Sequence, residues 1–106
     1  MQTLIDDTLA IARSHFLGFG FEEQQITPLL EAGSRDLTKE LRKLQALLSQ
    51  EPVPFEQINL SMHALKGLLL NMGNVEAADK FNELRSQDDE EQVLSGVREL
   101  LGASVL

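Results

Sequence analysis

Residues 55–73 read FEQINLSMHALKGLLLNMG. Apolar side chains recur in this stretch at alternating steps of three and four residues, which is the spacing of a buried seam in a helical bundle. The seam consists of Phe55, Ile58, Met62, Leu65, Leu69 and Met72. The periodicity therefore predicts a helix from about Pro54 to Met72 that is packed on one face, with Gly73 and Asn74 marking the corner after it.

His63 is predicted to lie on the solvent-facing side of this helix. At about 100° per residue, His63 and Gly67 fall well away from the centre of the seam. Lys66 follows one turn after the histidine, which brings its ammonium within reach of an anion held beside the ring. Glycine in a helix interior costs about 1 kcal/mol relative to alanine, so Gly67 suggests space for an incoming group or a partner surface. A neutral imidazole is a nucleophile near neutral pH, so His63 has the chemistry needed to accept a phosphoryl group.

Apolar and amide side chains surround the histidine on the predicted outer face. The helical phase places two leucines and three asparagines there: Leu60, Leu70, Asn59, Asn71 and Asn74. An exposed apolar rim beside a reactive group indicates a docking surface, although single exposed leucines are ordinary on proteins. We assign Leu60, Leu70 and Asn71 to this partner-docking surface.

The remainder of the chain also has the pattern of amphipathic helices, and no segment alternates as a strand does. A first short helix is predicted over residues 2–17, and a long second helix over about residues 22–50. Asn74 is a predicted N-cap for the next helix, and the spacing of Asp88 and Glu91 resembles a capping box for the last one. The pattern predicts an all-α fold, an up-and-down four-helix bundle with an additional short N-terminal helix.

The composition suits one small domain. A chain of 106 residues with 42% hydrophobic content is long enough for one core, so we treat residues 1–106 as a single domain. There is no cysteine, and the net charge is −8, which disfavours a nucleic-acid partner. No apolar run has the length of a membrane span, and the N-terminus lacks a signal-peptide pattern. We expect a cytoplasmic protein with no membrane partner and no bound metal.

The run around His63 resembles the signature of histidine-containing phosphotransfer (HPt) domains. The family pattern His-x-Leu-Lys-Gly, with a second glycine ten residues after the histidine, is matched by His63, Leu65, Lys66, Gly67 and Gly73. The resemblance covers a core of about residues 19–102. It implies that His63 is the phosphoacceptor of a two-component phosphorelay, with Lys66 and Gly67 as the neighbouring site residues.

The resemblance also implies partners and cofactors. The partners would be receiver domains of hybrid sensor kinases and response regulators, whose aspartates exchange the phosphoryl group with the outer, Nε2 nitrogen of His63. The chain would bind no cofactor of its own, since the family places Mg²⁺ on the receiver. We expect no independent kinase or phosphatase activity, because the sequence has no recognisable nucleotide-binding segment.

Two alternatives stay open at this point. Arg85 lies 22 residues after His63, where the family often has Gln or Glu on the next helix. Its guanidinium is either a support for the phosphoryl group or a solvent-exposed helix charge. The second alternative concerns function: the same helical bundle is also compatible with a phosphate-independent protein-interaction module that uses the surface around Leu60 and Leu70.

Overall fold

Five α-helices make up the part of the chain that the computed structural model describes, residues 2–103. They are α1 (Gln2–Gly18), α2 (Glu23–Leu48), α3 (Phe55–Asn71), α4 (Val75–Arg85) and α5 (Glu90–Ala103). Ala103 is described by its backbone alone, and residues 1 and 104–106 of the predicted domain lie outside the described residues. Residues 2–103 contain no strand, which confirms the prediction of an all-α fold. None of these helices combines the length and the apolar character needed to cross a bilayer.

The helix bounds lie within two residues of the predicted ones, but two details differ. With 17 residues, α1 is as long as α3 and is not a short helix. The capping box predicted for Asp88 and Glu91 is wrong, because α5 begins one residue later than that spacing requires. The carboxylate of Asp89 accepts the backbone N–H of Glu91 at 2.9 Å and satisfies one of the free donors at the start of the helix.

The core is built around α3. Its predicted seam is buried except for Phe55, which is half-buried. Helix α3 packs against both α2 and α4, α1 packs against α2, and α5 packs against α4 and also touches α2. The other helices contribute buried apolar side chains to the same core, among them Ile5, Leu37, Leu41, Leu44, Phe81, Val93 and Val97.

A buried hydrogen bond ties α1 to the start of α4. The side-chain amide of Asn74 donates to the Thr8 hydroxyl oxygen at 2.8 Å, and its carbonyl oxygen accepts the backbone N–H of Ala77 at 3.2 Å. The predicted N-cap is therefore confirmed. Asn74 is only 5% exposed, so its predicted place among the outer asparagines is wrong: burial against α1 turns the amide inward.

The corner between α3 and α4 requires a glycine for two reasons. Gly73 has a φ of +84°, in the left-handed region that side chains with a Cβ rarely adopt. A Cβ built at this residue would also lie 2.6 Å from Cγ of His15 on α1. The close approach of the His15 ring thus depends on the absence of a side chain at the corner.

We expect Gly73→Ala to lower the free energy of unfolding by about 2 kcal/mol, because the new methyl group adds backbone strain and displaces His15. Gly67→Ala is the matched control, since a Cβ there meets no atom within 4 Å; it should raise the free energy of unfolding by about 1 kcal/mol. Urea unfolding followed by circular dichroism measures both values. An unchanged or increased stability of Gly73→Ala would contradict this account of the corner.

Candidate functional site

His63 is exposed on the outer face of α3, as its helical phase predicts. Its neighbour Met62 is fully buried in the seam, so the two side chains leave the helix toward opposite environments. Leu60 is 68% exposed and Leu70 is 41% exposed. The outer face therefore presents one imidazole with an apolar side chain on either side of it along the helix.

Gly67 lies in open space one turn after His63. A Cβ built at Gly67 would meet no atom within 4 Å. Two other glycines in helix interiors do have a packing partner: a Cβ at Gly33 would lie 2.7 Å from Cε of Met72, and one at Gly96 would overlap a methyl group of Leu84. Gly18 and Gly102 are open like Gly67, but each lies at the end of its helix. Packing within the described residues therefore does not require a glycine at residue 67. The open space there is consistent with room for a group that belongs to another molecule.

Arg85 reaches His63 from the last residue of α4. Its Nη1 atom lies 2.9 Å from Nδ1 of His63, and its Nε donates to Oδ1 of Asn59 at 3.2 Å. Arg85 is half-buried, so the guanidinium is held between α3 and α4. The contact with His63 excludes the alternative of a free helix charge, and support of a phosphoryl group by Arg85 stays a prediction.

Lys66 is also fixed from α4. Its ammonium donates to the side-chain oxygen of Asn82 at 3.1 Å. Asn82 and Arg85 are three residues apart and therefore share one face of α4. That face carries both side chains that contact the histidine site from the neighbouring helix.

In the described part of the chain, neither Lys66 nor Arg85 forms an ion pair with an acidic side chain. The ion pairs within residues 2–103 are Arg13 with Glu23 and Lys80 with Glu76. Lys66 and Arg85 are instead held by the neutral amides of Asn82 and Asn59. Such bonds orient the cations and leave their charge available. The chain has 17 acidic and 9 basic residues, and yet it holds two uncompensated positive charges beside one imidazole.

The predicted site residues are not equally close to His63. Leu60, Lys66 and Gly67 lie within about one helical turn of it, and Arg85 touches it. Leu70 and Asn71 are both exposed but lie about 10 to 12 Å farther along the α3 axis by helical rise. They belong to the same surface and not to the immediate surroundings of the ring.

The sequence prediction missed Asn82 and the bond between Asn59 and Arg85. The spacing of these residues was a signal in the sequence. Asn59 and Lys66 are seven residues apart and share one face of α3, and Asn82 and Arg85 are three residues apart and share one face of α4. Identifying the pairs required the register between the two helices, which the sequence does not display. Both missed contacts involve a neutral amide that holds a cation.

The site has the donors for an anion and not the ligands for a metal. Within residues 2–103, no three His, Cys, Asp or Glu side chains are grouped so that they could hold a metal ion. A guanidinium and an ammonium beside an exposed imidazole instead suit a phosphoryl group, whose oxygens accept charge-assisted hydrogen bonds.

The comparisons with known proteins add no relative. No family model, curated protein or solved structure matches the chain. The HPt resemblance therefore depends on the sequence motif and stays a prediction.

We expect His63→Gln to change the free energy of unfolding by less than about 0.5 kcal/mol, because the side chain is exposed. Met62→Ala, at the adjacent residue, should lower it by roughly 3 kcal/mol, because it leaves a cavity in the seam. Chemical denaturation of both variants measures the difference. Comparable losses in the two variants would show that the assigned phase of α3 is wrong.

Proposed function

We propose that this protein is a histidine phosphotransfer protein. In this proposal His63 takes a phosphoryl group from the phosphoaspartate of one receiver domain and passes it to an aspartate of another, as part of a two-component phosphorelay. The observation that carries the proposal is the exposed imidazole of His63 beside Lys66 and Arg85, two cations that form no ion pair with a carboxylate of residues 2–103.

The arrangement of the helices supports the same proposal. Helices α2, α3, α4 and α5 pack in chain order, and α5 returns to touch α2. We interpret this order as an up-and-down four-helix bundle, with α1 as the added N-terminal helix that the HPt resemblance implies. A rigid bundle suits a carrier, because phosphoryl transfer depends mainly on positioning and on charge stabilisation.

The residues have separate roles in the proposed transfer. An imidazole nitrogen of His63 attacks phosphorus in line with the departing aspartate oxygen. Lys66 and Arg85 offset the negative charge of the phosphoryl oxygens. The HPt resemblance assigns Mg²⁺ and the remaining catalytic groups to the receiver, so the chain contributes a nucleophile and a positive surface and no kinase activity of its own.

The outer face of α3 would form the docking surface for the receiver domain. Leu60 offers an exposed apolar side chain within one turn of His63, and Leu70 continues the apolar surface. The space above Gly67 would admit the edge of the partner next to the reacting nitrogen. A cytoplasmic location and receiver partners are part of this proposal.

We expect phosphorylated receiver domains with Mg²⁺ to transfer an acid-labile, base-stable label to the wild-type protein and not to His63→Gln. His15→Gln is the matched control, since it removes the other histidine and should keep the label. Autoradiography after acid and base treatment measures the transfer. Absence of label from every competent donor, with receivers still binding, would favour the phosphate-independent interaction module.

We expect Gly67→Phe to weaken receiver binding by about tenfold or more, because the ring fills the space that the partner would enter. Gly102→Phe is the matched control: Gly102 is also exposed with no atom within 4 Å of an added Cβ, but it lies on α5. Titration calorimetry with one receiver measures both affinities. Equal receiver affinities for the two variants would contradict the proposal that the space at Gly67 admits the partner.

A further inference from the structure

The contact between Arg85 and His63 determines where the imidazole carries its proton. An arginine side chain has N–H donors and no acceptor. Because Nη1 of Arg85 lies 2.9 Å from Nδ1 of His63, Nδ1 must accept this hydrogen bond with its lone pair. A neutral imidazole has a single N–H, so the proton is on Nε2.

This placement of the proton affects the nucleophile directly. Within the ring, Nε2 is the nitrogen farther from the backbone, and it is therefore the one that a partner over α3 can reach. Within the described residues, Nε2 has no hydrogen-bond partner, whereas Nδ1 is covered by the guanidinium. The accessible nitrogen thus lacks a free lone pair, and the nitrogen that has one is occupied.

We infer that Arg85 is a tautomer lock, a positioning residue that keeps the neutral His63 ring protonated on Nε2 until a docking partner draws the guanidinium away. The inference rests on the proposed function of His63 as a phosphoacceptor. It gives Arg85 a role before transfer that is distinct from supporting the phosphoryl group during transfer.

The incoming phosphoryl group is the natural agent of release. Its oxygens are charged acceptors, so a bond to one of them would join two opposite charges, whereas the present bond to Nδ1 joins a charged donor to a neutral acceptor. Arg85 therefore exchanges a neutral ring nitrogen for an anionic oxygen. Asn59 holds the guanidinium through a different nitrogen, Nε, so this anchor can persist while Nη1 changes partner.

Once Nδ1 is free, the proton can change sides. Water takes the proton from Nε2 and supplies one to Nδ1, so the ring stays neutral. The Nε2 lone pair then forms the N–P bond, the P–O bond of the aspartyl phosphate breaks, and its electron pair leaves with the aspartate carboxylate. Nδ1 keeps its proton during the transfer and loses it to water afterwards. The reverse transfer needs the same protonated Nδ1. The hydrogen bond from Arg85 to Nδ1 must therefore also be broken before the phosphoryl group can leave His63.

The test is the ¹⁵N NMR spectrum of the His63 ring in the full-length protein, recorded at about pH 8.5, where an ordinary imidazole is neutral. We expect the wild type to show an unprotonated Nδ1 and a protonated Nε2. Arg85→Glu places an acceptor beside Nδ1 and should exchange the two signals. Arg98→Glu is the matched control, since Arg98 is exposed and contacts the Leu48 carbonyl; it should leave the His63 signals as in the wild type.

A second variant keeps the test decisive if Arg85→Glu does not fold. Arg85→Met removes the donor without adding an acceptor, so the two nitrogen shifts should move toward each other as both tautomers become populated. A wild-type ring protonated on Nδ1, or an Arg85→Met spectrum identical to that of the wild type, would overturn the lock.

The spectra need no phosphoryl donor, which separates this inference from the proposed function. Failure of receivers to label the wild type, together with the expected exchange of signals, would reject the relay and leave the proton placement intact. Transfer to His63 with signals that do not respond to Arg85 would keep the relay and reject the lock.

Discussion

Burial of one face of α3 between α2 and α4 is the constraint on which the rest of the structure depends. Met62 and Leu65 are completely buried, and the fixed angular step of a helix leaves His63, which lies between them in sequence, no direction except outward. The same packing brings α4 alongside α3, so that Asn82 and Arg85 reach the site from the neighbouring helix. The hydrophobic core thus determines both the exposure of the nucleophile and the source of the groups around it.

The site is consequently a property of a helix pair. The imidazole, the ammonium of Lys66 and the open space at Gly67 come from α3, whereas the guanidinium and one of the anchoring amides come from α4. Amides suit this purpose because a carboxylate at either anchor would cancel the positive charge that it holds in place. In a chain with a net charge of −8, the choice of neutral anchors creates a small region with the opposite sign.

The sequence predicted the helices and the exposure of His63 because both follow from local rules. Apolar spacing sets the phase of α3, and proline, glycine and Asn74 mark the ends of helices. The contact of Arg85 with Nδ1 of His63 depends instead on the register between α4 and α3 and on side-chain rotamers. The spacing of residues in the sequence shows neither of these.

Asn74 shows the same limit. Its role as an N-cap is local, but the inward direction of its side chain depends on the contact with Thr8. Before α5, the spacing to Glu91 favoured Asp88 as the cap, and only the observed start of the helix identifies Asp89 instead.

The bond between Thr8 and Asn74 joins residues 66 apart in sequence, which matters for how the chain is made. Synthesis proceeds from the N-terminus, so Thr8 leaves the ribosome long before its partner exists. Closing a loop of that length carries an entropic cost that neighbouring helical contacts avoid. The bond that holds the start of α4, the helix that carries Arg85, therefore joins it to a segment synthesised earlier and can form only after residue 74 has emerged.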